Sequence, residues 1–595
     1  MPASIYENRL TEAHTIFEAA HKRWSLFGNV RLLAAIVMAI ALWQVWSNSG
    51  PTGIILLVVG VVSFITLAIL QRRARVARDA AETLVIVNER AIDRLALNWD
   101  ELPEPPDADI DRTHPYAYDL NIVGWGSVAQ RIGTPATRHG WDALYASLLE
   151  ESDPATIPAR QIAIRELAAK LELRQQAESV GSVDDEIPDA TPLLEWAKEV
   201  SLLSSWLRLL AFVGPALVLL TIVLTVLGMT PWIVILLPIA LNTLIFTFFG
   251  GRIADAAHAI APLREAVQTY QRITALISYD SPTSPLLRGL DNELGGAMTA
   301  LASLHRVINC AIPRGSMLYF PLQMATLWDI HLVHALESWR HEHGSQLDGW
   351  LRAMGEWEAL AALSVLTHDH PEWGTPAVDN TIDGLEAVAL AHPLLPTNIA
   401  VTNDIAITPT GSFLFVTGSN MSGKSTLLRA IGVNVVLAQA GAAVCAQALT
   451  IPPLRVSSCM RVEDSLAHGV SFFMAELHRL KAVVDRVRST DDRISLYLLD
   501  EILQGTNTAE RQIASREVLA QLGRQRAIGA ISSHDLELIS GTNLEEHAIL
   551  VHFAEQFQRV DGMPEMGFDY ILRTGIATSS NAIRLMELLG FDIHE

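Results

Sequence analysis

The chain has 595 residues, with 43 Lys+Arg against 65 Asp+Glu (formal net charge −22), 50% hydrophobic and only 18% charged residues, and a mean hydropathy of +0.27. That composition excludes a disordered or collagen-like chain, and the length predicts several domains rather than one. Low charge with positive hydropathy points to membrane spans, while the three scattered cysteines, Cys310, Cys445 and Cys459, make neither a disulfide framework nor a zinc site and fit a reducing cytosol.

In chain order, residues 32–46 and 52–70 are charge-free apolar stretches joined by the uncharged linker Ser47-Asn48-Ser49-Gly50-Pro51. Lys22, Arg23 and Arg31 flank them on one side and Arg72-Arg73-Ala74-Arg75 on the other, so a transmembrane hairpin with both flanks cytosolic is expected. A cleaved signal peptide is the competing reading; a second span following at once argues against it. The pattern repeats at 209–229 and 231–250, preceded by Lys198 and Arg208 and followed by Arg252. No charged side chain lies inside any span, which predicts anchors rather than an ion or substrate path. The expected organisation is an N-terminal segment 1–75 with the first hairpin, a cytosolic helical region 76–200, the second hairpin within 201–252, a helical region 253–390 and a sheet domain 391–595. The whole would sit as a multi-pass protein in the cytoplasmic (inner) membrane, with both termini in the cytosol.

In the last region short β-like runs alternate with helical ones, the pattern of a βαβ sheet. Gly418-Ser419-Asn420-Met421-Ser422-Gly423-Lys424-Ser425-Thr426 fits G-x-x-x-x-G-K-[ST] between an apolar strand at 413–416 and a helical run at 427–440, the context a phosphate loop requires. The glycines let backbone N–H groups converge on phosphates at a helix N-terminus, Lys424 brings charge to the β/γ oxygens, and the Ser425 hydroxyl can ligate Mg²⁺. The strand 495–499 ends in Asp500-Glu501 at the same sheet edge, placing Asp500 to hold Mg²⁺ through water and Glu501 to orient or deprotonate the attacking water. A third strand, 527–532, ends in Ser533-His534, where the histidine can hydrogen-bond a γ-phosphate. ATP with Mg²⁺ is the expected substrate, and an acidic strand end or a merely exposed histidine is the bland alternative.

These residues resemble the MutS family of DNA mismatch-repair ATPases. The family's loop G-P-N-M-[GS]-G-K-S-T is similar to 418–426, with Ser419 in place of proline, and its D-E-[IL]-x-x-G-T-[SN]-T segment to Asp500-Glu501-Ile502-Leu503-Gln504-Gly505-Thr506-Asn507-Thr508. Residues 464–476 resemble the element whose serine reaches the γ-phosphate of the opposite subunit, a role the resemblance gives to Ser471. His392-Pro393-Leu394 resembles the entry to the ATPase domain, Gln439-Ala440-Gly441 the end of the helix after the loop, and residues 568–590 the helical tail that dimerises the domains; Gln439 is counted among the nucleotide-binding positions on that basis. More weakly, 114–116, 138–140 and 354–363 resemble the family's core. The resemblance implies an α/β P-loop ATPase domain of the ABC type, a mainly α-helical lever and core, a homodimer through the ATPase domain, and two transmembrane hairpins as additions.

Three readings follow. A membrane-anchored clamp on mismatched, branched or otherwise irregular DNA is favoured, although no Phe-x-Glu mismatch reader occurs in the first 250 residues. Arg72 to Arg78 with Arg264, Arg272, Arg306 and Arg314 are candidate phosphate contacts, or simply the positive-inside flank and solvated helix faces, and the net charge of −22 opposes DNA binding. A membrane scaffold that binds a protein partner without DNA is the alternative. A transport ATPase is less favoured, because no L-S-G-G-Q-like element precedes Asp500.

Overall fold

The computed structural model describes residues 2–48, 51–181, 187–199, 205–460, 472–488, 493–503, 508–540, 542–560 and 563–576. The chain opens with two long helices, α1 (Pro2–Asn48) and α2 (Pro51–Ala96), each about 70 Å long at 1.5 Å per residue. They run antiparallel: Gly60 packs on Met38, Gly53 on Val45 and Gly28 on Gln71, and the Arg78 guanidinium lies 4.9 Å from the centre of the Trp24 ring. α2 passes residue 75 unbroken, since no glycine or proline follows Gly60 within it. Its apolar stretch and that of α1 turn outward, with Leu33, Trp43, Ile55 and Val62 more than half exposed. At the far end Tyr6 is buried against Ala91 and Leu171, and its hydroxyl donates to Asp369 Oδ1 at 2.6 Å.

Among the described residues, Pro2–Ser47, Gly53–Ala96 and Trp232–Gly251 are long and apolar enough to cross a membrane, and Ala211–Val226 is a shorter apolar helix.

One compact unit, Pro135–Ala143 with Glu172–Ala359, is helical. Its main elements are α3 (Arg138–Leu149, at its start), α4 (Ser205–Val226), α5 (Leu236–Ala259), α6 (Arg264–Tyr279), α7 (Ala297–Asn309), α8 (Tyr319–Thr326), α9 (Trp328–His343) and α10 (Leu347–Asp369). α6 and α7 each bury one stripe at helical spacing, Val267, Tyr270, Ile273 and Ile277 on the first and Ala297, Leu301, Leu304 and Ile308 on the second. α4 approaches α5 so closely that a Cβ on Gly214 would lie 2.2 Å from Asn242 Oδ1. Deep in this unit, Glu358 accepts from Ala136 N at 2.7 Å and from Thr137 Oγ1 at 2.5 Å.

The other unit, Met1–Thr134, Leu144–Leu171 and Leu360–Glu595, carries both sheets. β1 (Ala377–Val378), β2 (Leu385–Leu390), β3 (Asn403–Ile407) and β5 (Ala448–Ile451) form a small sheet in the order β1-β5-β2-β3. The larger sheet contains β4 (Phe413–Thr417), β6 (Leu454–Cys459), β7 (Ile494–Asp500), β8 (Ala527–Ser532), β9 (Ala548–Val560) and β10 (Met563–Thr574) in the order β10-β9-β4-β8-β7-β6. All its pairings are parallel except β10 with β9. β4 and β8 are buried throughout, as near-continuous apolar parallel strands covered on both faces should be. Helices α11 (Lys424–Ala440), α12 (Phe472–Val487) and α13 (Thr508–Gly523) complete the domain, with Phe413, Phe415 and Tyr497 packed among Leu480, Val484 and Leu519. The strands expected at 413–416, 495–499 and 527–532 are present. The β6 edge is covered by the segment before α3: Pro115 O accepts from Ser458 N at 2.8 Å.

Candidate functional site

The C-terminal ends of β4, β7 and β8 lie side by side because all three run parallel, and each ends in polar residues. After β4 the chain must turn sharply into α11. Gly418 has φ +142°, and a Cβ there would meet Ser422 Oγ at 2.8 Å and Phe553 O at 3.1 Å, so the position accepts only glycine. Gly423, at φ +104°, is the N-cap of α11, and Met421 holds the same half of φ space at +68° with its side chain exposed. The first N–H groups of α11 have no partner within the helix and carry the positive end of its dipole, a ready anion site. Ser419 Oγ and Ser422 Oγ are buried without a hydrogen-bond partner among the described residues, which suits a ligand rich in acceptors.

Lys424, the first residue of α11, is 4% exposed, and its ammonium gathers the site. It donates to Gly418 O at 3.0 Å and Ser419 O at 3.1 Å, pairs with Glu501 Oε1 at 3.3 Å, and lies 3.1 Å from His534 Nε2. That same ring nitrogen is 2.9 Å from Glu501 Oε1 and 2.7 Å from Asn420 Oδ1. One nitrogen cannot donate to a carboxylate and accept from an ammonium together, so the tautomer of His534 decides which contact is a bond. Loop, carboxylate and histidine are therefore coupled.

The carboxylates are aimed by β8. Ser532 Oγ donates to Asp500 Oδ1 in a short bond, and Glu501 N donates to Ser532 O and Ser532 Oγ, both at 3.2 Å. Glu501 and Leu503 sit at φ +47° and +61°, strained values that the surroundings must impose. One such restraint is Glu476, 3% exposed, whose Oε1 accepts from Leu503 N in another short bond.

Around these groups lies a cavity of about 780 Å³. Asn420 to Thr426, Asp500 and Glu501 line it, together with the apolar side chains of Leu395, Ile399, Val401 and Tyr570. His392 also lines it; burial, with Arg429 and Arg131 nearby, pushes its imidazole down to about 4, so it is neutral, and its Nδ1 accepts from Leu394 N at 3.1 Å. Ser425 and Asp500 are the described side chains suited to a divalent cation. Among the described residues no group of three or more His, Cys, Asp or Glu could hold a metal ion, so a cation here would need ligands from outside the protein.

Of the sequence-expected site, the loop 418–426, Asp500, Glu501 and His534 come together. Gln439 does not: it lies 15 residues along α11 from Lys424, roughly 22 Å at the helical rise, where its Oε1 accepts from Leu454 N at 2.9 Å. Its resemblance to a family position marks the end of the helix, not the cavity. Ser471, the rest of 461–471, Gln504 to Asn507 and residues from 577 lie outside the described residues, while 568–574, expected to open a helical tail, belong instead to strand β10, paired antiparallel with β9. Sequence reasoning missed Ser532 and a bracing cluster at the end of β6. There Asp119, 1% exposed, accepts from Arg479 Nη1 at 3.2 Å and Nη2 at 2.8 Å, from Ser458 Oγ at 2.9 Å and from Met460 N at 3.0 Å. Met460 lines the cavity, so this buried pair fixes one of its walls. The polar residues that end β4 and β7 were a usable signal for Ser532 at the end of β8; none was available for Asp119.

Residues 414–593 match the family described as MutS domain V. Over 255 residues, 42% of this chain, it is 30% identical to "DNA mismatch repair protein MutS 2" of Halobacterium salinarum, covering 28% of that protein. It is also 30% identical over 234 residues to "DNA mismatch repair protein MutS" of Thermotoga maritima (39% of this chain, 28% of that one). With "DNA mismatch repair protein MSH6" of Arabidopsis thaliana the identity is 31% over 224 residues (36% and 17%). The chain thus spans less than a third of the length of these curated relatives.

Proposed function

On the premise that residues 414–593 are a MutS domain V, we propose that this chain is a membrane-anchored MutS-like ATPase that closes as a homodimer on DNA. The observation that carries the ATPase reading is the convergence of Lys424, Glu501 and His534 within 3.3 Å of one another at the mouth of a glycine-turned loop. The apolar wall of Leu395, Ile399, Val401 and Tyr570 suits the face of a base, and the α11 N-terminus suits the phosphates. Lys424 meets the β and γ oxygens. Ser425 and Asp500 would hold Mg²⁺, which when bound supplies charge neutralisation at those oxygens. Asp500 is oriented by Ser532. Glu501 takes a proton from the water that attacks the γ phosphorus as ADP departs, and His534, positioned against Asn420, hydrogen-bonds the γ-phosphoryl group. Ser471 of a second copy completes the site, as the resemblance implies.

The membrane reading rests on the outward-facing apolar stretches of α1, α2 and α5 and on the arginines that bound them. It places the protein in the cytoplasmic membrane with the ATPase domain and both termini in the cytosol. The relatives' names support DNA as partner; the net charge of −22 supports the second reading, a membrane scaffold whose nucleotide cycle governs a protein partner.

Glu501→Gln keeps the size of the side chain and removes the base. The variant is expected to bind ATP while hydrolysis falls by about 10²- to 10³-fold, and normal turnover would exclude Glu501 from the mechanism. Measuring hydrolysis with homoduplex, mismatched and four-way-junction DNA at two salt concentrations separates the readings. A DNA response that fades with salt supports the clamp, whereas indifference to every DNA supports the scaffold.

A further inference from the structure

α8 and the turn before it belong to a region that the sequence pattern alone assigns to the cytosol. Yet residues 315–328 carry no charge, and Met317, Leu318 and Phe320 are 94%, 71% and 56% exposed. Where this segment lies along α5 gives the exposure its meaning. Arg314 Nη2 bonds Asp255 Oδ1 at 2.7 Å, just past Gly251, where the apolar span of α5 ends. Farther along, the Phe246 ring lies 6.4 Å from Tyr319 and 6.5 Å from Phe320. Deeper still, Asn242 Nδ2 donates to Met324 O at 3.0 Å and Ala325 O at 3.4 Å, and Thr243 Oγ1 meets Met324 Sδ at 2.9 Å. From Asp255 to Asn242 the segment follows α5 for 13 residues, roughly 20 Å at the helical rise. It thus lies beside the apolar part of α5 and not beyond it.

The carbonyls at the end of α8 are met by a protein donor. Leu327, at φ +52°, breaks the helix between α8 and α9 and leaves the last carbonyls of α8 without helical partners. Water satisfies such carbonyls on a cytosolic surface; in a bilayer a protein donor must. Asn242, wholly buried in an otherwise apolar stretch of α5, is that donor. At the same corner Gln323 Oε1 accepts from Asp329 N at 3.1 Å, and Tyr319 OH donates to Asp329 Oδ2 at 2.6 Å.

We propose that residues 315–328 are a re-entrant membrane segment. It enters the bilayer from the cytosolic side along α5, presents Met317, Leu318 and Phe320 to lipid acyl chains, and returns through α9. The proposal rests on the reading that α4 and α5 cross the bilayer. A charge-free stretch of this length is too short to span about 30 Å of hydrocarbon but long enough to enter and leave it. Acyl chains are the occupant because the segment lies at the depth of the apolar part of α5, whose opposite face, at Leu244 and Phe248, is itself 55% and 73% exposed.

The test uses the full chain with Cys310→Ser, leaving only the buried Cys445 and Cys459, reconstituted in phosphatidylcholine–phosphatidylglycerol vesicles. An environment-sensitive fluorophore is attached singly at Met317→Cys or Phe320→Cys. Leu219→Cys on α4 serves as the span marker and Tyr279→Cys on α6 as the aqueous marker, both positions being exposed. Brominated lipids are expected to remove most of the emission at 317, 320 and 219, while iodide quenches only 279. Iodide quenching at 317 and 320 with lipid quenching at 219 would overturn the re-entrant segment and leave the spans standing. Iodide quenching at 219 as well would overturn both. Protection of 317 and 320 from both quenchers would mean that protein covers them, again refuting the proposal.

Discussion

Glu358→Gln tests the energetics of the helical unit at one atom. In the folded chain the carboxyl is wholly buried; it accepts from Ala136 N and Thr137 Oγ1, and Thr137 Oγ1 in turn accepts from Gly140 N at 3.0 Å, which caps the start of α3. Those hydrogen bonds favour the charged form, but desolvation outweighs them and pushes the carboxyl from 4.5 up to about 7. The gap of about 2.5 pH units corresponds to about 3 kcal/mol, or roughly 300-fold in an opening equilibrium. Because the folded state holds the proton more tightly than the unfolded one, this stability is fully present below about pH 4.5 and is lost as pH rises through about 7. Hydrogen exchange of the amides in 135–143, corrected for the intrinsic pH dependence of exchange, should therefore show protection falling between about pH 5 and 8 in the natural chain. The amide that replaces the carboxyl cannot ionise, so the variant should be flat across that window and better protected at its alkaline end. An identical slope in both proteins would refute the assignment of this titration to Glu358.

Substitutions at three further positions probe the unit that carries the sheets. Asp119→Ala takes the buried carboxylate from Arg479 and frees Met460 N; since Arg479 keeps 30% of its surface in water, the expected loss is about 2–3 kcal/mol, toward the low side for a broken buried pair, read by urea unfolding. Asp119→Asn should lose less, and a smaller loss for alanine than for asparagine would contradict the pairing. Gly418→Ala forces a Cβ to 2.8 Å from Ser422 Oγ at a φ unsuited to alanine, so ATP affinity should drop by about 10- to 100-fold with unchanged far-UV circular dichroism. Unaltered ATP binding would show that the turn is not needed. Tyr6→Phe removes the hydroxyl bonded to Asp369 and should cost about 1 kcal/mol, seen as faster exchange in the first turns of α1; no change there would mean that packing alone holds that end.

The candidate site was legible in the amino-acid string because its parts are local: a glycine-bounded loop, a lysine opening a helix, and apolar runs that end in Asp500-Glu501 and Ser533-His534. Apolar length and flanking arginines likewise marked the outward-facing helices without any knowledge of packing, because a span is defined by its own composition. Gln439 shows the limit of that reasoning, since likeness to a motif carries no distance and the helical rise takes it far from Lys424. Tertiary structure alone brought Asp119 to Arg479 and Tyr6 to Asp369, pairs 360 and 363 positions apart. It alone raised the Glu358 carboxyl by taking it out of water, and it alone laid the uncharged residues 315–328 beside α5. Local patterns decide which element a segment forms and what chemistry it carries. Desolvation and the pairing of distant polar groups depend on what surrounds a side chain in space, and that is settled only when the elements pack.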